Sequence, residues 1–275
     1  MLLALRRLIV GAAVAFALGT GQAEASAIGL TSGNPGSLYT IDTSTGAATL
    51  LGNLTGAISN TSLIGLDFLG NTLYASDVTD GSTGFYFGRV DLTTGAFTAL
   101  SHQDGEANWQ SLAANQLGGF LYTVEVFTAA RNLKTVTPAG VTTTIGPVGL
   151  PISALAYDDA TGILYGSDGL NLYSINTTTA APTLVGGFGV GCFRAGLDID
   201  PTAGTLFLNG ADCGGRLYTV NKLTGAATLV GANGATAGSG IDGFAIDTRT
   251  AAVPEPTTLA LVGGALALAR ARRRR

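Results

Sequence analysis

The side chains that could do chemistry in this sequence are mostly carboxylates. The 275 residues include 18 Asp and Glu but only one His and two Cys. A single His excludes a multi-histidine metal site, and two Cys exclude a Cys₄ zinc site or an iron–sulfur cluster. No Gly-x-Ser-x-Gly, Walker or dinucleotide-binding motif is present. The chemistry left to consider is that of carboxylates, which bind Ca²⁺ or act as the acid and base of glycoside hydrolysis.

Four side chains are the candidate ligand-binding residues. Asp198 is the one acid, apart from recurring turn positions, that the repeats described below place on an innermost strand, and Arg194 could pair with it there. Glu125 and Trp109 fall on one loop-rich face, where an indole ring could stack on a sugar. The competing interpretation is a solvated acidic rim without chemistry. We predict no catalytic residue, no metal site and no cofactor, and Ca²⁺ at the rim is the option that stays open.

Two sequence phrases recur along the chain, and the first joins two strands through a turn. An apolar strand ends in Asp or Asn, and a strand beginning with Leu and an aromatic residue follows six residues later. The acidic or amide residues of this phrase are Asp67, Asn115, Asp158, Asp200 and, without a following partner, Asp247. Such side chains accept backbone hydrogen bonds in tight turns, so we favour a turn role over metal binding.

The second phrase is a strand, a Thr-Gly turn and a short strand that ends in Gly. Its turn glycines are Gly46, Gly95, Gly140 and Gly225, and Thr179-Ala180 stands in the unit that lacks one. The mean period is about 45 residues. Thr, Val, Tyr and Leu dominate these segments, which favours strands over helices.

Four short strands in each period predict the blade of a β-propeller. We predict an all-β, five-bladed propeller over residues 28–250, closed by N- and C-terminal strands in one blade, because closure removes exposed strand edges. An open β-solenoid or a sandwich is the alternative. The predicted blades are 241–247 with 28–52, then 63–101, 110–146, 152–186 and 194–231. The Leu-Tyr and Thr-Gly repeats resemble those of other secreted bacterial propellers.

The two cysteines fall on one face of the fifth predicted blade. Cys192 precedes the first strand of that blade, and Cys213 lies between its second and third strands. These two kinds of connection share a face, and exported proteins meet an oxidising compartment. We therefore expect a Cys192–Cys213 disulfide, with two free buried thiols as the alternative.

Residues 1–27 have the layout of a secretory signal peptide. Two arginines precede an uncharged apolar helix over Leu8–Gly19, which is shorter than the roughly 20 residues of a membrane span. Small residues then form two cleavage patterns. Cleavage is expected after Ala27, or after Ala25 as the second choice.

Residues 251–275 hold three elements in a fixed order. Pro254, Glu255 and Pro256 come first, an apolar helix follows, and a basic stop ends the chain. The basic stop consists of Arg270, Arg272, Arg273, Arg274 and Arg275. The helix is short for a membrane span, and its arginines are expected to stay in the cytoplasm. An ordinary tail anchor is the alternative.

The arrangement of these three elements resembles the PEP-CTERM sorting signal of Gram-negative bacteria. The resemblance implies processing by a membrane-embedded exosortase near the Pro-Glu-Pro motif. It further implies transient attachment to the inner membrane and export toward the cell surface or an extracellular polysaccharide matrix.

The charge of the predicted domain differs from that of its ends. Residues 27–250 contain seven basic and sixteen acidic residues, so their net charge is −9, against −4 for the whole chain. This balance excludes the basic face that nucleic-acid binding needs. We expect an exported, non-enzymatic propeller that acts as a structural or binding module, possible partners including extracellular polysaccharide. The alternatives are a polysaccharide hydrolase or lyase that uses carboxylates of the loop-rich face, and a Ca²⁺-stabilised adhesin.

Overall fold

A computed structural model describes nine stretches of the chain: residues 26–31, 36–56, 63–77, 85–103, 109–125, 128–191, 195–210, 214–234 and 240–249. Within these stretches the chain forms strands, turns and bends, and no helix long and apolar enough to cross a membrane is found. The predicted signal peptide up to residue 25 and the predicted sorting segment from residue 251 lie outside them.

In the described residues, twenty strands form five antiparallel sheets of four strands, and each sheet is one blade. From the axis outward, blade 1 contains β20 (Gly243–Ile246), β1 (Ser26–Leu30), β2 (Ser37–Asp42) and β3 (Ala48–Asn53). Blade 2 contains β4 (Leu63–Leu69), β5 (Thr72–Asp77), β6 (Phe85–Val90) and β7 (Phe97–Gln103), and blade 3 contains β8 (Trp109–Asn115), β9 (Phe120–Glu125), β10 (Asn132–Val136) and β11 (Thr142–Pro147). Blade 4 contains β12 (Ala154–Asp158), β13 (Ile163–Ser167), β14 (Asn171–Ile175) and β15 (Pro182–Gly187), and blade 5 contains β16 (Ala195–Asp200), β17 (Thr205–Gly210), β18 (Arg216–Val220) and β19 (Ala227–Ala232). The predicted five-bladed propeller is confirmed.

The five innermost strands close a ring around the axis. β4 contacts β8 and β20, β12 contacts β8 and β16, and β16 contacts β20. The buried side chains form five clusters, each between two neighbouring blades. Leu206 and Leu208 pack toward blade 4, whereas Phe207 between them packs toward blade 1. Because successive side chains point to opposite faces of a strand, strands covered on both faces are apolar along their length.

N- and C-terminal strands close the ring within blade 1. β20 pairs with β1, from Ala27 opposite Ile246 to Leu30 opposite Gly243. The Asp247 amide donates to the carbonyl oxygen of Ser26 at 2.8 Å, which extends this pairing. Strand β1 therefore includes Ser26 and the buried Ala27, two residues that belong to the signal peptide predicted over residues 1–27.

The second repeated phrase has a packing reason. Its turns begin with an Asp or Asn whose Oδ1 accepts the backbone N–H groups two and three residues later, at Asp42, Asp91, Asn176 and Asn221. Gly46 follows with φ 77°, and Ala180 takes the same left-handed conformation with φ 62°. A Cβ atom on Gly231 would overlap the Thr45 carbonyl oxygen. The glycine that ends an outer strand thus leaves room for the turn of the next blade.

The connections between strands fall on two opposite faces of the propeller. The turns that join the first to the second strand and the third to the fourth strand of a blade lie on what we call the hairpin face. Connections from the second to the third strand, and from one blade to the next, lie on the opposite face, the entry face. This division follows from the antiparallel order of the strands.

Candidate functional site

Asp67 and Asp198 occupy the same position in two innermost strands. Asp67 of β4 lies opposite Tyr74, and Asp198 of β16 lies opposite Phe207. The two residues are only 5% and 7% exposed. The equivalent residues of the other three blades are Ala113, Ala156 and Ala245. The sequence prediction that Asp198 stands on an innermost strand is confirmed, and Asp67 joins it.

Each of the two carboxylates joins its own blade to the next one. Asp67 accepts the Phe68 N–H through Oδ1 and the Ala114 N–H of β8 through Oδ2, both at 2.6 Å. Asp198 accepts the Ile199 N–H through Oδ1 at 2.7 Å and the Ile246 N–H of β20 through Oδ2 at 2.6 Å. These carboxylates therefore satisfy backbone donors on the inner edge, where no further strand is available to pair with them.

Burial changes the acidity of both carboxyl groups. Desolvation raises the pKa of Asp198 to about 7, against the opposing effect of its two backbone donors. Desolvation raises the pKa of Asp67 well above its usual value, and the negative charge of Asp198 raises it further. Cα atoms of β4 and β16 approach within 8 Å across the ring. The pair therefore favours a bound proton up to about neutral pH, which ordinary aspartates do not.

The turn role predicted for the first repeated phrase is confirmed at four of its five residues. Each of these side chains accepts a backbone N–H two or three residues further on: Asn115 from Gly118, Asp158 from Ala160, Asp200 from Thr202 and Asp247 from Arg249.

The turn prediction is wrong at Asp67. Only two residues, Gly70 and Asn71, separate β4 from β5, whereas four separate the corresponding strands of blades 3, 4 and 5. Leu69 therefore takes the turn position, and Asp67 lies two residues deeper in the strand. The Gly-Asn dipeptide between two apolar runs is a hairpin signal that could have revealed this shift.

On the hairpin face, polar contacts link the blades around Asp67 and Asp198, which we call the axial pair. Gln116 accepts the Gly70 N–H at 2.8 Å and donates to the Phe68 carbonyl oxygen at 2.6 Å. Asp159 of blade 4 accepts the Gln116 N–H at 3.0 Å, and burial raises the pKa of Asp159. Lys222 of blade 5 forms an ion pair with Asp158 of blade 4 at 2.8 Å. These contacts fix blades to one another.

Glu125 lies at the entry-face end of β9 and is paired rather than open to a ligand. Its Oε1 lies 2.8 Å from the Lys134 ammonium, and the two side chains are only 9% and 6% exposed. Its Oε2 accepts the Asn132 backbone N–H at 3.2 Å and side-chain N–H at 2.8 Å. Burial raises the pKa of Glu125, but the hydrogen bond and charge of Lys134 and the hydrogen bonds from Asn132 together outweigh burial, so the pKa is lowered overall.

Blade 4 repeats this arrangement with a tyrosine in place of the lysine. Asp168 accepts the backbone and side-chain N–H groups of Asn171 and the Tyr173 hydroxyl, the last at 2.8 Å. In the strand registers, Tyr173 has the position in blade 4 that Lys134 has in blade 3. Asp168, directly after β13, corresponds in the same way to Glu125 at the end of β9. Both acids therefore fix the start of the third strand, and of the two only Glu125 is a predicted ligand-binding residue.

Trp109 lies in the core between blades 2 and 3 and not on the surface. Its exposed fraction is 0%, and its ring meets Phe85 at 4.5 Å and Phe87 at 6.1 Å between ring centroids. The structure therefore does not support Trp109 as a stacking platform for a sugar. Arg194, the two cysteines at 192 and 213 and the whole sorting segment lie outside the described residues.

The described residues offer little that would hold a metal ion. In the nine stretches given above, no three His, Cys, Asp or Glu side chains cluster closely enough to ligate one. The axial pair can hold a proton and join blades. Acid–base catalysis would additionally require a substrate to reach two side chains that are almost fully buried.

Comparisons with known proteins identify one motif and support the fold. Residues 252–275 match the family described as the PEP-CTERM protein-sorting motif. No curated protein matches the chain. Among solved structures, a chain of the nidogen/laminin complex is similar with 16% identity and a TM-score of 0.51, over 72% of this chain and 74% of that one. This likeness shows the fold alone.

A second solved structure is a structural genomics protein of unknown function from Bacteroides thetaiotaomicron VPI-5482. It has 13% identity and a TM-score of 0.49, over 75% of this chain and 64% of that one. This chain thus spans less than two thirds of that solved chain.

Proposed function

We propose that this chain, an exported five-bladed propeller with a PEP-CTERM sorting segment, is a non-enzymatic structural or binding module of the cell surface or extracellular matrix. The sorting motif implies processing by exosortase. One observation supports the absence of catalysis most directly. The candidate carboxylates Asp67, Asp198 and Glu125 bind backbone N–H groups or a lysine and hold strands together. A rigid scaffold of this kind leaves its connections free to bind a partner.

One observation favours a catalytic alternative. The pKa of Asp198 is raised to about 7, and a carboxyl group tuned to neutral pH is typical of general acids. A polysaccharide hydrolase or lyase would use Asp198 and Asp67 as its acid and base, which requires a glycan to reach these two nearly buried side chains.

A single assay separates the two functions. The full chain is incubated with acidic and neutral polysaccharides, and both co-sedimentation and newly formed reducing ends are measured. We expect co-sedimentation without new reducing ends. Reducing ends that appear with the natural chain and disappear with Asp198→Asn would replace our proposal with the catalytic one.

The export route makes a prediction about the mature N-terminus. Cleavage after Ala27 would remove the Ser26–Asp42 and Ala27–Ile41 pairings of β1. Cleavage after Ala25 would leave the strand whole, so we expect the exported protein to begin at Ser26. N-terminal sequencing of the exported protein measures this directly, and a start at Ile28 would contradict it.

The predicted disulfide has positional support from the strands beside it. Ala195 and Gly210 lie opposite each other in β16 and β17. Cys192 precedes this pair by three residues, and Cys213 follows it by three residues. We expect no thiol to react with an alkylating reagent in the unfolded, non-reduced protein, and two to react after reduction. Two reactive thiols without reductant would contradict the pairing.

A further inference from the structure

A cleft opens on the hairpin face of blade 2, and no function considered so far uses it. Its volume is about 490 Å³, within the usual range of ligand pockets. The β4–β5 hairpin and the turn between β6 and β7 form its walls, and Arg249 closes one side after β20. Phe68 and Leu73, both buried, contribute to its lining.

Arg89 brings an uncompensated positive charge to this cleft. Its side chain is exposed, and within the described parts of the chain it makes no ion pair or side-chain hydrogen bond. By contrast, Lys134 and Lys222 are paired with Glu125 and Asp158. Because the domain has a net charge of −9, a guanidinium that the described residues leave unpaired in a cleft distinguishes this site from its acidic surroundings.

Arg249 provides a second guanidinium, and the protein holds it in place. Its Nε and Nη2 atoms donate to the two oxygens of Asp247 at 2.8 and 2.6 Å. The guanidinium carbon also lies 5.3 Å from the centre of the Phe68 ring, a cation–π distance. Since a guanidinium has five N–H donors, about three remain for a ligand.

The other polar groups of the cleft suit hydroxyl groups better than a second negative charge. Thr72 and Thr98 line it with hydroxyls, and Asp91 lines it with a carboxylate. Asp91 accepts the Thr93 and Thr94 N–H groups at 2.8 and 3.1 Å through Oδ1, and hydrogen bonds from these two residues lower its pKa. Asp91 is therefore a charged, exposed acceptor for a hydroxyl donor. A ligand with several negative charges would be repelled by Asp91, and a neutral sugar would leave Arg89 uncompensated.

We propose that the blade 2 cleft binds a sugar acid. Arg89 and Arg249 take its single carboxylate, and Thr72, Thr98 and Asp91 take its ring hydroxyls. Arginine suits this task because its planar donors match the two oxygens of a carboxylate. This inference rests on the proposed function as a binding module and specifies the ligand class and the site.

Binding of monosaccharides by the purified full chain in mild detergent tests the cleft. Glucuronate, glucose and acetate are titrated separately at one ionic strength by calorimetry. We expect glucuronate to bind at least about tenfold more tightly than glucose or acetate. Because a charge-assisted hydrogen bond is lost, Arg89→Gln should weaken glucuronate binding by about 10- to 100-fold.

Arg216→Gln is the matched control, because Arg216 is exposed in blade 5 and does not line the cleft. It should leave the glucuronate affinity unchanged, and both variants should keep the melting temperature of the natural chain. Equal affinities for glucuronate and acetate would overturn recognition of the sugar, and undiminished binding in Arg89→Gln would overturn the site. The polysaccharide assay described above separates this proposal from the module function. Polysaccharide binding that persists in Arg89→Gln would refute the cleft and leave the module function standing. Release of reducing ends from the polysaccharide would refute the module function instead.

Discussion

The free energy of unfolding of this protein should fall as the pH rises from about 4 to about 7. The pKa of an ordinary aspartate, as in the unfolded chain, is 3.8, whereas the pKa of Asp198 in the folded protein is about 7. Between these two values the folded state therefore binds more protons than the unfolded state. Stability from this group is complete below pH 4 and is lost as the pH passes 7. The loss is up to about 4 kcal/mol, at 1.36 kcal/mol per pKa unit. Urea denaturation across this range measures it.

Asp198→Asn should make this decline shallower, because of the two buried carboxyls near the axis only Asp67 then keeps a raised pKa. The amide has a single acceptor oxygen, so either the Ile199 or the Ile246 N–H loses its partner. We therefore expect the variant to be about 1–3 kcal/mol less stable than the natural chain at pH 5. At pH 8 the difference should vanish or change sign, since the natural chain then buries a charge.

Asp91→Asn is the matched control for the axial variant. Asn176 and Asn221 already form the same turn in blades 4 and 5, so asparagine is compatible with this position. Hydrogen bonds from Thr93 and Thr94 lower the pKa of Asp91, so its titration falls below the range in question. The control should keep the decline of the natural chain. A stability difference between Asp198→Asn and the natural chain that is the same at pH 5 and pH 8 would contradict the predicted titration.

The architecture was predictable because each blade repeats its turn chemistry. Asn176 and Asn221 stand where Asp42 and Asp91 stand, and each bonds the same two backbone N–H groups. Such local interactions leave a mark at fixed spacing in the sequence. The closing of the ring could also be predicted. In the repeat pattern, β20 is an innermost strand that no outer strands follow, whereas β1 to β3 are three outer strands that no innermost strand precedes.

The roles of individual acids could not be predicted so well, because they depend on register between blades. Asp67 and Asp158 both precede a leucine by six residues, yet a shorter hairpin moves Asp67 to the axis while Asp158 stays in a turn. The sequence predicts Trp109 on the loop-rich face, but its ring packs wholly between blades 2 and 3. Spacing along one chain segment carries no information on what the neighbouring blade presents.

The equivalence of Glu125 with Asp168 is another feature that only the strand registers reveal. The two residues differ in side-chain length, and their partners Lys134 and Tyr173 differ in chemistry. Six residues separate β9 from β10, whereas three separate β13 from β14, which hides the correspondence in the sequence. In both blades the acid fixes an asparagine at the start of the third strand.

Lys134→Met should lower the free energy of unfolding by about 3–5 kcal/mol at pH 7, because it leaves the buried Glu125 carboxylate without its cation. Glu125→Gln combined with Lys134→Met should recover most of this loss, since the amide keeps an acceptor for Asn132. The loss in the single variant should also shrink near pH 4, where an unpaired buried Glu takes up a proton.

Tyr173→Phe is the matched control in blade 4 and should cost only about 1 kcal/mol, because Asp168 keeps its Asn171 donors. A Lys134→Met variant as stable as Tyr173→Phe, or a double variant without recovery, would show that the pair contributes no such energy.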